Sequence, residues 1–144
     1  MRVSVTGCGY LGAVHAAAMA SLGHDVVGVD VDRDKVEALA QGFAPFYEPR
    51  LSELLRMGTD SGRLRFSTDI SEIAGSSVHF VCVGTPQHKD SYAADLTHLN
   101  AAFRSLADFV QEGDVVVGKS TVPVGTAAQL AGYFAEDYFE GLGR

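Results

Sequence analysis

Val3-Ser4-Val5-Thr6-Gly7-Cys8-Gly9-Tyr10-Leu11-Gly12 sets a short apolar run directly before three glycines spaced G-x-G-x-x-G, and an alanine-rich segment follows. That order predicts a strand, a tight turn and a helix. Each glycine has a job in such a turn. Gly7 lets the chain leave the strand sharply, Gly9 lets a diphosphate approach the backbone, and Gly12 lets the helix pack close to the sheet. The phosphates would then sit at the helix N-terminus, where unpaired N–H groups and the positive end of the helix dipole favour an anion.

The following segment supplies the second half of the pattern. A helical run from Ala13 to about Leu22 is broken by Gly23 and His24, and Val26 to Val29 reads as an apolar strand that ends on Asp30. An acid about 20 residues past the glycines is placed to grip a ribose 2′-hydroxyl. A carboxylate there accepts hydrogen bonds from a diol and repels a 2′-phosphate, which favours NAD over NADP. The plainer alternative is that Asp30 and Asp32 only cap the next helix.

Composition narrows the function classes. At 144 residues and 47% hydrophobic content, the chain can bury a core as one domain, enclosing roughly 70% of its unfolded surface at this size. Its net charge of −7 and the absence of a basic stripe argue against nucleic acid. With no apolar run near about 20 residues and no signal-peptide pattern at the N-terminus, a cytoplasmic protein without membrane contact is expected. Cys8 and Cys82 form neither a disulfide framework nor a zinc pattern, and His15, His24, His79, His88 and His98 have no metal-ligand spacing, so no metal is expected.

Further along, Arg33 to Gln41 has helical periodicity with Gly42 as its stop, and a proline-rich stretch from Phe43 to Pro49 precedes a short amphipathic helix around Leu51, Leu54 and Leu55. Leu64 to Phe66 reads as a brief strand. Asp69 to Ala74 reads as one or two helical turns capped by Thr68 or Asp69. Val78 to Val83 has the near-continuous apolarity of a central parallel strand. A long helix is predicted from Asp95 to Val110, a buried strand at Val115 to Val117, and a last helix from about Gly125 to Phe134. Strands alternating with helices through short links predict an α/β fold, a Rossmann-like doubly wound parallel sheet in a single domain. In such a sheet the ligand crosses the carboxyl ends of the strands. The loops carrying Thr85 and Thr121 converge there, and their hydroxyls either reach a cofactor or satisfy loop backbone.

Gly7-Cys8-Gly9-Tyr10-Leu11-Gly12, Pro45-Phe46-Tyr47-Glu48-Pro49, Val83-Gly84-Thr85-Pro86 and Lys119-Ser120-Thr121-Val122-Pro123-Val124-Gly125-Thr126, in this order, resemble the N-terminal domain of the UDP-glucose/GDP-mannose dehydrogenase family. Gly84-Thr85-Pro86-Gln87 followed by Ala94-Asp95-Leu96 is more similar to the UDP-glucose branch than to the GDP-mannose branch. The resemblance implies an NAD-dependent oxidoreductase that takes the C6 alcohol of a nucleotide-linked glucose to the carboxylate, through a covalent intermediate on a cysteine. It implies that Gly7, Gly9, Tyr10, Leu11 and Gly12 hold the diphosphate, Asp30 and Lys35 the adenosine ribose, and Thr85 and Thr121 the nicotinamide side. Thr121 would also have a catalytic part, positioning the hydrolytic water.

The chain departs from the family pattern in instructive places. The segment G-G-S-C-F-P-K-D that carries the family's catalytic cysteine does not occur in it, and Arg50 stands where a glycine usually follows Tyr47-Glu48-Pro49. Neither cysteine of this chain reads as a substitute: Cys8 stands at a variable position inside the glycine turn, and Cys82 falls in an apolar strand, where a desolvated thiol has a raised pKa. The expectation is a truncated NAD-binding domain over 1–144, inactive alone. It would lack the central dimerisation helix and the C-terminal domain that holds the nucleotide-sugar substrate. Apolar surface left open by that truncation predicts self-association, as a homo-oligomer or swapped dimer. A stand-alone NAD-binding or regulatory module is the alternative, and a methyltransferase a more distant one.

Overall fold

The computed structural model describes residues 1–141, with side chains through residue 135. Five parallel strands form one sheet: β1 (Arg2–Thr6), β2 (Asp25–Val29), β3 (Leu64–Ser67), β4 (Val78–Val81) and β5 (Val115–Gly118). Their order across the sheet is β3-β2-β1-β4-β5. The chain thus winds outward from β1 in one direction, returns, and winds outward in the other. The point of reversal lies between β1 and β4, where a doubly wound sheet opens its crevice. In register, Thr6 stands beside Val29 on one side and Val81 on the other, so the loops leaving these three strands start at one level.

The helices α1 (Tyr10–Ser21), α2 (Arg33–Ala40), α3 (Leu51–Asp60), α4 (Thr97–Ala107) and α5 (Thr126–Gly141) cover the sheet, with a 3₁₀ turn at Ile70–Ile73. Val3 and Val5 point to the α1 and α3 face, where they pack with Ala13, Ala16, Ala17, Leu39, Leu51 and Leu55. Val27, Val29 and Val81 point to the other face, against Leu99, Phe103, Leu106 and Leu130 of α4 and α5. Alanines at 13, 16, 17 and 20 give α1 a flat buried side. The helix can therefore lie close to the strands without a ridge of larger side chains between them.

Several sequence expectations move by a few residues. The first helix begins at Tyr10 rather than Ala13, because Gly9 already serves as its N-cap in extended backbone. The fourth strand stops at Val81 rather than Val83, and α5 runs past Phe134 to Gly141. Asp69, not Thr68, caps the 3₁₀ turn, its carboxylate accepting from the Ser71 amide at 2.9 Å. One expectation is wrong in kind. The Val115–Val117 strand is not buried: β5 is an edge of the described sheet, and Val115 is 53% exposed. Its three consecutive valines suggested cover on both faces, but the neighbour needed to cover the α1 side is absent among the described residues. Apolarity alone does not distinguish an edge from a centre.

Candidate functional site

The carboxyl ends of β1, β2 and β4 frame a cleft of about 470 Å³ lined by Gly7, Gly9, Asp30, Lys35, Gly84 and, across from them, residues of α4. Its floor is the glycine turn. Gly7 has φ +90°, and a Cβ there would lie 2.8 Å from the Val83 amide nitrogen, so both conformation and space demand glycine. A Cβ on Gly12 would fall 1.8 Å from the Gly7 carbonyl oxygen and 3.3 Å from the Cys82 Cβ. Gly12 therefore lets the helix start directly under the turn. Gly9 differs from both, for a Cβ built on it meets nothing within 4 Å. The space in front of Gly9 is open.

That opening faces the start of α1, which has no side-chain cap and no acidic residue in its first turn. The leading amides of a helix lack intrahelical acceptors, so this end offers N–H donors and a positive dipole to an anion. Asp30 stands beside it, at the tip of β2. Its Oδ2 accepts from the Cys8 amide at 2.7 Å and from the Lys35 Nζ at 3.0 Å, and its Oδ1 accepts from the Asp32 amide at 3.0 Å. The helix that follows is capped by Asp32, not by Asp30. An open glycine face, a run of free amides and an adjacent carboxylate for a sugar diol together fit a dinucleotide of the NAD type.

The other expected residues occupy different surroundings. Tyr10 and Leu11 are exposed on the first turn of α1. The Tyr10 hydroxyl donates to the Glu48 carboxylate and its ring lies 5.0 Å from that of Phe46, tying the proline-rich segment to the glycine turn. The hydrogen bond to Glu48 raises the phenol's pKa. Arg50 adopts a left-handed backbone, with φ +66°, the conformation that favours glycine. Thr85 and Thr121 are brought together, but through the Thr85 hydroxyl donating to the Thr121 carbonyl at 2.7 Å, and neither lines the cleft. For Thr85 this is the loop-satisfying arrangement. Ser120 braces the same junction by donating to the Val83 carbonyl at 2.7 Å.

Both thiols are unsuited to nucleophilic work. Cys82 sits just beyond β4 at 8% exposure, and burial pushes its pKa up to about 11. Cys8 is fully buried, and burial together with the Asp30 carboxylate raises its thiol pKa further still. Among the described residues no cluster of His, Cys, Asp and Glu could hold a metal, and no helix is long and apolar enough to cross a membrane. The sequence reading missed the far wall of the cleft, made by Ile70 together with His98, Ala101, Ala102 and Ser105 of α4. The positions 98, 101, 102 and 105 share one helical face, a period visible in the sequence but masked there by the stronger apolar face of the same helix.

Comparison with known proteins agrees with this geometry. Residues 1–141 match the model of the UDP-glucose/GDP-mannose dehydrogenase family, NAD binding domain. A UDP-glucose 6-dehydrogenase from Rhizobium meliloti is 44% identical over 131 residues, which are 90% of this chain and 30% of that protein. The solved structure of a UDP-glucose dehydrogenase from Pyrobaculum islandicum superposes with a TM-score of 0.86 at 42% identity, covering 94% of this chain and 32% of that one. A ternary complex of GDP-mannose dehydrogenase from Pseudomonas aeruginosa gives 0.87 at 38%, covering 95% and 32%. The chain thus spans about a third of the length of the relatives it matches.

Proposed function

Because this chain belongs to the UDP-glucose/GDP-mannose dehydrogenase family and matches its NAD binding domain, we propose that it is the NAD-holding part of a nucleotide-sugar 6-dehydrogenase. The carrying observation is the position of Asp30, which touches the glycine turn at the open mouth in front of Gly9. In this reading the amides of the first turn of α1, from Gly9 to Gly12, hold the diphosphate, with Gly7 shaping the turn. Asp30 and Lys35 meet the adenosine ribose. The paired Thr85 and Thr121 loops border the nicotinamide side, and Thr121 is the residue of this chain assigned a part in positioning the hydrolytic water.

Bound NAD would supply the hydride acceptor. Oxidising a C6 alcohol to a carboxylate removes four electrons as two hydrides, consumes one water and releases protons, so two NAD are reduced per sugar. This chain's own residues bind and orient the cofactor. The sugar and the nucleophilic cysteine belong, in this reading, to a further domain. The same reading holds that residues 1–144 form one NAD-binding unit that is inactive alone and works in a homo-oligomer. UDP-glucose is the substrate favoured by the 44% identical relative, with GDP-mannose as the second reading because a GDP-mannose dehydrogenase aligns over nearly the same span.

A calorimetric titration with NAD, NADP and S-adenosylmethionine tests the cofactor assignment. NAD should bind, NADP more weakly, and S-adenosylmethionine not at all. Absence of NAD binding would remove the reading at its base. Joining the chain to the remaining two-thirds of a relative and assaying NADH with UDP-glucose and GDP-mannose then tests the substrate.

A further inference from the structure

Asp30 is engaged by its own protein to an unusual extent for a residue expected to grip a ligand. It is only 9% exposed, and its two oxygens together accept three hydrogen bonds from within the chain. The shortest, from the Cys8 amide at 2.7 Å, fixes the peptide plane in the middle of the glycine turn. The preceding amide, Gly7, donates to the Val29 carbonyl at 2.8 Å. Two successive amides of the turn are therefore tied to the tip of β2, one by backbone and one by a carboxylate. With those two directed sideways, the next amides, from Gly9 onward, are the ones left pointing into the open space before α1.

We propose that Asp30 is a positioning residue for the diphosphate, organising the glycine turn through the Cys8 amide, in addition to meeting the ribose. This inference rests on the dinucleotide reading above and gives the same site a second contribution from one residue. Its physical sense lies in charge as well as shape. A carboxylate close to a diphosphate seat would repel the ligand, and the Lys35 ammonium at 3.0 Å from Oδ2 offsets that charge. Lys35 is itself three-quarters buried, and so is held on the carboxylate rather than swinging in solvent. The pair delivers a strong charge-assisted acceptor to the turn with little net negative charge at the mouth.

The test uses a ligand that has no ribose. Inorganic diphosphate, titrated by amide NMR, reports the glycine turn alone, while NAD titrated by calorimetry reports turn and ribose together. Asp30→Ala should weaken both by about tenfold or more. Asp30→Asn keeps one carbonyl for the Cys8 amide, so it should retain more diphosphate binding than Asp30→Ala while still losing NAD. Lys35→Met should weaken diphosphate and make its binding more salt-sensitive, and adding Asp30→Asn to that variant should recover part of the loss. If Asp30→Ala binds diphosphate as the unaltered chain does and loses only NAD, the positioning role falls and the proposed function stands. If the unaltered chain binds neither ligand, both fall. Hydrogen exchange in the unaltered protein guards against a variant that does not fold: the Cys8 amide should be protected, and exchange there as fast as in an open loop would overturn the inference.

Discussion

The two halves of the sheet solve the same packing problem with different completeness. On one side of the reversal point, β1 and β2 are flanked by partners, and Val3, Val5, Val26, Val27 and Val29 are each at most 4% exposed. On the other, β5 is an edge strand among the described residues, as β3 is in the first half, but it starts on an exposed valine where β3 starts on the buried Leu64. The buried interior there is also more polar. Ser4 and His79, side by side on β1 and β4, share a 2.7 Å hydrogen bond, and Asp114 lies 3.6 Å from the other imidazole nitrogen. The half that carries the glycine turn and Asp30 is thus the more fully buried, whereas the half that carries Thr85 and Thr121 ends on a strand with an exposed valine. A cofactor site needs its diphosphate seat held to within fractions of an ångström, and the better-packed half is where the proposed seat lies.

The contrast can be broken most severely at the turn. Gly12→Val would drive its side chain into the Gly7 carbonyl, so NAD binding by calorimetry should be abolished and the melting temperature should fall, with overpacking of this kind costing about 1–3 kcal/mol or more. A variant that still binds NAD normally would show the turn to be far more pliable than its contacts suggest. In the same half, Leu39→Ala empties a fully buried position and should cost about 2–5 kcal/mol by urea unfolding. A loss under about 1 kcal/mol would show that this side is no tighter than the other.

The polar interior of the second half gives a pH signature. Burial lowers the His79 pKa below its ordinary value of 6.5, partly offset by Asp114, so the folded protein binds fewer protons at this site than the unfolded chain. Stability from this group is therefore present above about pH 6.5 and lost as pH falls below it. Chemical unfolding followed from pH 7.5 to 5 should show that decline, and His79→Gln should flatten it. An equal slope in both proteins would place the acid sensitivity elsewhere.

Two smaller effects sharpen the picture. Arg50→Gly relieves a left-handed backbone at a non-glycine residue and should stabilise the chain by about 1 kcal/mol or less, read as a small rise in melting temperature. On the open edge, Val115→Lys should change stability by no more than about 0.5 kcal/mol. It should reduce any self-association seen by sedimentation, since a charge on an edge strand opposes pairing with another chain. Unchanged association would mean that β5 is not the surface involved.

The glycine spacing, the acid after the second apolar run and the alternation of strands and helices were enough to specify a doubly wound parallel sheet and to point to the strand ends where the cleft opens. These are local patterns: a turn that only glycine can make and a periodicity that repeats within one element are written residue by residue. The sequence could not tell that β5 lies at an edge, because three valines look alike whether one neighbour or two will cover them. Nor could it tell that the Thr85 hydroxyl turns to the Thr121 carbonyl, or that α4 forms the far wall of the cleft. It offered Asp30 as a ribose ligand or a helix cap. Folding made Asp32 the cap and set Asp30 against the Cys8 amide, 22 positions earlier. Such pairings are decided by which strand tips arrive at the same level, and only the folded sheet fixes that.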